Sequence, residues 1–70
     1  MLPFQQRVID EKKELDDKLG RLSAFMATVR FDRLEMAERE RMDRQLDIMD
    51  RYSKVLGERI ANFKEGESYR

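Results

Sequence analysis

Residues 42–63 read MDRQLDIMDRYSKVLGERIANF, and apolar side chains recur in this stretch at every third or fourth position. Such spacing places them on one face of an α-helix, interrupted only by Ser53: Met42, Leu46, Met49, Leu56, Ile60 and Phe63. A second apolar stripe lies beside the first and consists of Ile48, Tyr52 and Val55. The combined arc is wider than one antiparallel partner covers. We therefore expect this helix to have two neighbours, one of them from another subunit.

The N-terminal half predicts the first of these neighbours. A helix starts well at Pro3, whose missing amide hydrogen has no intrahelical partner in a first turn. One apolar stripe follows, with a polar gap at Glu11 and Lys12: Phe4, Val8, Leu15, Leu19, Leu22, Met26 and Val29. Between the two patterns, Asp32 and Glu35 have the spacing of a capping box and predict a turn. The fold class is therefore all-α, an antiparallel two-helix hairpin with room for a short extra helical turn.

Length and composition predict assembly. A chain of 70 residues is marginal for a core of its own, and it contains neither cysteine nor histidine to supply disulfides or thiolate and imidazole metal sites. We expect one helical domain over residues 1–63, a frayed polar tail over residues 64–70, and a helical homo-oligomer. The chain has 15 basic and 15 acidic residues. This balanced charge disfavours a duplex DNA binder, whose affinity would come from neutralising many phosphates.

The sequence shows no bilayer-length apolar run or signal peptide, so a cytoplasmic protein without membrane partners is expected.

The side chains offer no recognisable catalytic group. Paired carboxylates such as Asp16 and Asp17 are flanked by basic residues, which favours a solvated helix face over an acid–base pair. We predict a protein that is not an enzyme and uses no cofactor.

At the start of the first helix, Phe4 can stack on a base, Gln5 can hydrogen-bond a base edge, and Arg7 can bind phosphate. For Phe4, a core contact is the favoured alternative. Tyr52 is expected to belong to the core, with its ring in the second apolar stripe and its hydroxyl reaching an interface partner.

The order of residues resembles a known family. The segments PFQQRVIDEKKELDDKLGRLSAF and MDRQLDIMDRYSKVLGERIANF, joined by a bend with Phe31, are similar to the phage anti-CBASS protein two family of cyclic-oligonucleotide sponges over roughly residues 4–63. The resemblance implies a hexamer in the cytoplasm of an infected bacterium. It also implies intersubunit pockets that sequester cyclic dinucleotides, such as 3′,3′-cyclic GMP-AMP, and cyclic trinucleotides without cleaving them. CBASS immune effectors are then deprived of their activator.

The resemblance also implies ligand-binding residues. An aromatic ring and a lysine of the cyclic dinucleotide pocket correspond to Phe4 and Lys18, which lie about 21 Å apart along one helix and so must meet across an interface. Gln5, Arg7 and Arg59 are the candidates for cyclic trinucleotides. Ion pairs are an equally good interpretation of the cations: Arg7 with Asp10 or Glu11, Lys18 with Glu14, and Arg59 with Glu58.

Two other functions fit the sequence. A structural, coiled-coil-like adaptor would use the apolar stripes only to bind a partner helix. A weak binder of single-stranded nucleic acid would show strong salt dependence and little preference for cyclic ligands.

Overall fold

A computed structural model describes residues 2–63 as three helices: α1 (Pro3–Met26), α2 (Val29–Asp32) and α3 (Met36–Ala61). The long helices α1 and α3 pack antiparallel, so Phe4 at the start of α1 contacts Phe63, just beyond the end of α3. The single turn α2 lies at the bend. The predicted all-α hairpin with a short extra helical turn is therefore confirmed, and its assembly into an oligomer stays a prediction.

Local hydrogen bonds explain where α1 begins. Leu2 precedes the helix in an extended conformation, and Pro3 occupies the first helical position as predicted. The amide of Leu2 donates to Oε1 of Gln5 at 2.9 Å. The glutamine side chain thus accepts a hydrogen bond from a backbone amide that has no carbonyl partner within the helix.

The bend differs from the prediction in two ways. Thr28 caps α2, since its Oγ1 accepts the amide of Phe31 and donates to the carbonyl of Phe25. The predicted Asp32–Glu35 capping box is wrong, because Asp32 still belongs to α2 and the Glu35 side chain makes no cap hydrogen bond to α3. Val29 was also assigned wrongly to the stripe of the first helix. That helix ends at Met26, so Val29 falls in α2 and is 63% exposed.

The seam between α1 and α3 has a small buried centre. Leu56 is completely buried and Val8 nearly so, whereas the remaining apolar residues of the seam are half-buried. The second stripe of α3 stays largely uncovered, with Ile48 60%, Tyr52 43% and Val55 49% exposed. The expectation that Tyr52 belongs to the core is therefore wrong for the single chain. One hairpin partner does not cover the apolar arc of α3.

The predicted frayed tail, residues 64–70, lies outside the described residues, as does Met1. Within residues 2–63, neither long helix contains an apolar stretch long enough to cross a membrane.

Candidate functional site: the tyrosine flank of the hairpin

One side of the hairpin gathers most of the predicted ligand-binding residues. On α1, Phe4, Glu11 and Lys18 are seven residues apart, and such positions drift by only about 20° per heptad around a helix. On α3, Tyr52 and Arg59 have the same spacing. The hydroxyl of Tyr52 donates to the carboxylate of Glu11 across the seam, which places both lines on the same side. We call this surface, formed by Phe4, Glu11, Lys18, Tyr52 and Arg59, the tyrosine flank.

At the centre of the tyrosine flank, the hydroxyl of Tyr52 is hydrogen-bonded to the charged carboxylate of Glu11. The hydrogen bond to Glu11 raises the pKa of Tyr52 above its ordinary value, with burial and the negative charge of Glu11 adding to the effect. The positive charge of Arg59 acts in the opposite direction. Arg59 therefore lies within electrostatic reach of the phenol. The Glu11 carboxylate is held by a fixed donor and belongs to a structural contact between the helices.

The two other predicted residues at the open end of the hairpin have different surroundings. Phe4 is half-buried, and its ring meets that of Phe63 edge to face, with centroids 5.8 Å apart and an interplanar angle of 77°. Gln5 is 4% exposed, and its Oε1 is engaged by the amide of Leu2. Phe4 thus packs where the ends of the two long helices meet, and Gln5 participates in starting the helix.

The three predicted cations are exposed. Within residues 2–63, salt bridges involve Lys12, Arg41, Arg51 and Lys54 as the basic partners, and none involves Arg7, Lys18 or Arg59. The ion pairs that the sequence allowed for these three cations are therefore not formed in the described part of the chain. Exposed cations without a carboxylate partner suit an anionic ligand.

The structure brings some of these residues together and keeps others apart. Arg7 and Arg59 both lie toward the open end, where the start of α1 meets the end of α3. Phe4 and Lys18 are on the same line of α1, so about 21 Å of helix separates them. A single nucleotide cannot bridge both in one chain. The requirement for a second chain at that pocket remains a prediction.

The opposite side of the hairpin carries a groove. A shallow groove there is lined by two leucines, a serine and three aspartates: Leu19, Leu46, Ser23, Asp43, Asp47 and Asp50. Asp47 pairs with Arg51 and Asp50 pairs with Lys54, both on the same helix. The groove therefore contains three carboxylates, two of which are paired with cations of the same helix.

Sequence reasoning missed one cluster in the seam. Lys12 Nζ lies 2.7 Å from Oδ2 of Asp16 and 3.1 Å from Oγ of Ser53. The Ser53 hydroxyl also donates to the other carboxylate oxygen of Asp16. Hydrogen bonds from Lys12 and then Ser53 hold the pKa of Asp16 below its ordinary value. The signal was present in the sequence, because the one polar gap in each stripe falls at positions that an antiparallel hairpin brings together.

Across residues 2–63, the acidic side chains form no group of three or more that could hold a metal ion.

Comparison with known proteins assigns the chain to a family. The sequence profile of the Sequestin family matches residues 2–62, which include all three helices. An uncharacterized 7.5 kDa protein of Enterobacteria phage T4, from the denB-rIIB intergenic region, is 36% identical over 64 residues, covering 91% of this chain and 100% of the phage protein. No solved structure gives a significant match. The match to the Sequestin profile spans most of the chain, and the protein belongs to the Sequestin family.

Proposed function

We propose that this protein binds cyclic oligonucleotide second messengers and sequesters them, without cleavage, from the effectors of bacterial CBASS immunity. The observation that carries the proposal is the match to the Sequestin family over residues 2–62, whose name itself denotes sequestration. The T4 relative supports a phage setting, in which the protein would act in the cytoplasm of the infected bacterium. The structure contributes a surface with the right chemistry for such a ligand.

The tyrosine flank is the proposed ligand surface. Phe4 offers an aromatic ring on which a base can stack, and Lys18 offers a positive charge for a phosphate. Lys18 has no carboxylate partner in the described residues, so ligand binding breaks no ion pair there. Since the two side chains are too far apart in one chain, we place the cyclic dinucleotide between Phe4 of one protomer and Lys18 of another. A two-fold arrangement provides two such pairs for a ligand with two bases and two phosphates.

The uncovered stripe of α3 supports the assembly that this pocket needs. Ile48, Tyr52 and Val55 are each 43–60% exposed, and burying such side chains against a second copy is favourable by about 25 cal/mol per Å² of apolar surface. Tyr52 belongs both to the stripe and to the tyrosine flank, so an interface on the stripe would adjoin the ligand surface. We propose a homo-oligomer on this basis, with the hexamer as the expected form.

Cyclic trinucleotides are assigned to the open end of the hairpin. Arg7 and Arg59 are exposed there without carboxylate partners in residues 2–63, and several copies converging at this end would present a ring of guanidinium groups to three phosphates. Gln5 is the least accessible member of the predicted set. We assign it a backbone-ordering contribution to this site.

Sequestration without turnover is consistent with the side chains available. The sequence contains no histidine or cysteine. On the tyrosine flank, the acidic group is Glu11, which is engaged by Tyr52.

A protein that sequesters the messenger must bind it more tightly than the effector does. A nanomolar dissociation constant corresponds to about −12 kcal/mol, which two stacked bases and two charge-assisted phosphate contacts can supply in a preassembled pocket.

The experiment that tests the proposal compares two lysines on α1. Lys18→Met removes a charge from the tyrosine flank, whereas Lys13→Met removes an equal charge about 140° around the same helix. Calorimetric titration with 3′,3′-cyclic GMP-AMP should show binding by the wild type and by Lys13→Met. For Lys18→Met the affinity should fall about 100- to 10,000-fold, because each ligand loses two lysine contacts and a hydrogen bond to a charged group contributes about 1.5–3 kcal/mol.

Equal loss of affinity in both variants would contradict the site, since it would indicate a general charge effect. The adaptor function predicts a different outcome, because a protein that only packs its stripe against a partner helix gives no heat with any cyclic nucleotide and no ligand-dependent rise in melting temperature.

A further inference from the structure

The seam cluster of Lys12, Asp16 and Ser53 is unusual for its position. Each residue of a helix-pair seam faces the partner helix, and in this protein Lys12 and Ser53 occupy seam positions that are otherwise apolar. Their polar groups meet each other at 3.1 Å and share the Asp16 carboxylate. Ser53 is buried and Lys12 half-buried. The cluster thus ties α1 to α3 through a closed set of three polar contacts near the middle of the seam.

Gly57 gives the cluster a steric component. A Cβ atom added at Gly57 would lie 3.3 Å from Cε of Lys12, which is closer than ordinary van der Waals contact. The glycine therefore makes room for the lysine stem, one turn of α3 away from Ser53. A side chain at position 57 would compete with Lys12 for this space. Both the polar partner and the space for Lys12 are thus available at only one register of the two helices.

The apolar side chains of the seam distinguish poorly between registers, because they are mainly aliphatic: Leu15, Leu19 and Leu22 on α1 and Leu46, Met49 and Leu56 on α3. Besides the cluster, the hydrogen bond from Tyr52 to Glu11 is a polar contact that depends on the register. A slip of α3 by three or four residues would still pair aliphatic groups with aliphatic groups. It would also place Lys12 against Leu56 or Met49 instead of Ser53. Buried polar groups at single seam positions are the best-attested means of specifying register in helix pairs.

We propose that Lys12 is a positioning residue, which together with Asp16, Ser53 and the space at Gly57 fixes the register of α1 against α3. The register determines which residues of α3 stand beside Phe4 and Lys18, so it also sets the layout of the tyrosine flank. The register claim stands on the contacts alone, whereas its consequence for ligand binding rests on the proposed function.

Distances between two spin labels in one chain test the register directly. The chain contains no cysteine, so cysteines introduced at the exposed positions Arg21 and Glu58 take up the labels, and excess unlabelled protein suppresses distances between chains. The variant Lys12→Met with Ser53→Ala makes the seam apolar, and Lys13→Met is the exposed control. A slip by one seam step moves α3 by about 5–6 Å along α1, which pulsed electron resonance resolves.

We expect one narrow distance in the wild type and in Lys13→Met. The apolar double variant should stay helical and add a second distance shifted by about 5–6 Å. Ser53→Ala alone, a milder change, should give a smaller second population. A single wild-type distance in the double variant would overturn the proposal. So would a double variant that unfolds while Ser53→Ala keeps one narrow distance, because the cluster would then act on stability alone.

The ligand readout separates this inference from the proposed function. If the wild type binds no cyclic nucleotide but the double variant shows two registers, the register claim stands and the proposed function fails. If the wild type binds 3′,3′-cyclic GMP-AMP, the double variant should bind it more weakly at unchanged helicity, by a factor set by the fraction of chains that keep the original register. Unchanged affinity together with a shifted register would overturn the claim that the register sets the layout of the tyrosine flank.

Discussion

The two helical glycines of the hairpin give opposite predictions for the same substitution. Gly20 lies inside α1, and a Cβ atom added there would meet nothing within 4 Å. Glycine inside a helix costs about 0.8–1.0 kcal/mol relative to alanine. Gly20→Ala should therefore recover about 1 kcal/mol in the free energy of unfolding. For a domain of this size that gain corresponds to a rise in melting temperature of about 4–8 °C.

Gly57→Ala is the matched control within the same molecule. It removes a glycine from the interior of α3, so the gain in helix propensity is the same. The added methyl group, however, would lie 3.3 Å from Cε of Lys12. Lys12 would have to move and would lose part of its contact with Ser53. We expect Gly57→Ala to raise the melting temperature by less than half as much as Gly20→Ala, or to lower it.

Thermal unfolding followed by circular dichroism at two protein concentrations is the assay. A fall in melting temperature for Gly20→Ala would refute the reasoning, because it would mean that the space around Gly20 is occupied in solution. If that fall deepens as the protein is concentrated, a neighbouring chain is what fills the space. An equal gain at both glycines would contradict the contact between Gly57 and Lys12.

Three further substitutions test the packing and the titrating groups. Leu56→Ala empties the only completely buried side chain of the described residues and should cost about 2–5 kcal/mol in a urea titration; a loss below 1 kcal/mol would contradict the seam. The ionised form of Asp16 stabilises the fold above its unfolded pKa of 3.8, and this contribution is lost as pH falls through the lowered folded pKa. Asp16→Asn should therefore flatten the loss of melting temperature below about pH 4, and an unchanged acid profile would contradict the cluster. The raised pKa of Tyr52 favours the protonated phenol, so its contribution is present below pH 10.0 and is lost as pH rises through the folded pKa. Tyr52→Phe should flatten the loss of melting temperature at alkaline pH. An unchanged alkaline profile would mean that the hydrogen bond to Glu11 is absent in solution.

The hairpin was predictable because its determinants are local and periodic. Heptad spacing indicated α1 and α3, and Pro3 marked the start of α1. The bend was harder to predict. Asp32 and Glu35 have the spacing of a capping box, but Asp32 ends α2, and the cap hydrogen bonds at the bend belong to Thr28, which the sequence pattern did not single out. Tyr52 was misjudged for a similar reason, since a residue at the edge of an apolar arc is covered only if a neighbour lies on that side.

For the candidate site, the sequence predicted which residues share one face of a helix. It did not predict which side chains contact each other across the two helices. Spacing by seven placed Phe4 and Lys18 on one line of α1, but nothing in the spacing showed that Glu11 between them bonds Tyr52. The burial of Gln5 was also unforeseen, because it depends on the extended backbone of Leu2. Contacts between side chains 41 positions apart, such as Lys12 with Ser53, require the register of the hairpin.

The central claim is sequestration, and the most direct measurement is calorimetric titration of the wild-type protein with 3′,3′-cyclic GMP-AMP, followed by heat denaturation and chromatography of the released ligand. Our account predicts a dissociation constant near or below the nanomolar range, one ligand for every two chains, and complete recovery of the intact cyclic dinucleotide. Absence of heat at micromolar concentrations with this ligand, a cyclic dipurine and a cyclic trinucleotide would contradict the account, as would recovery of a linear product.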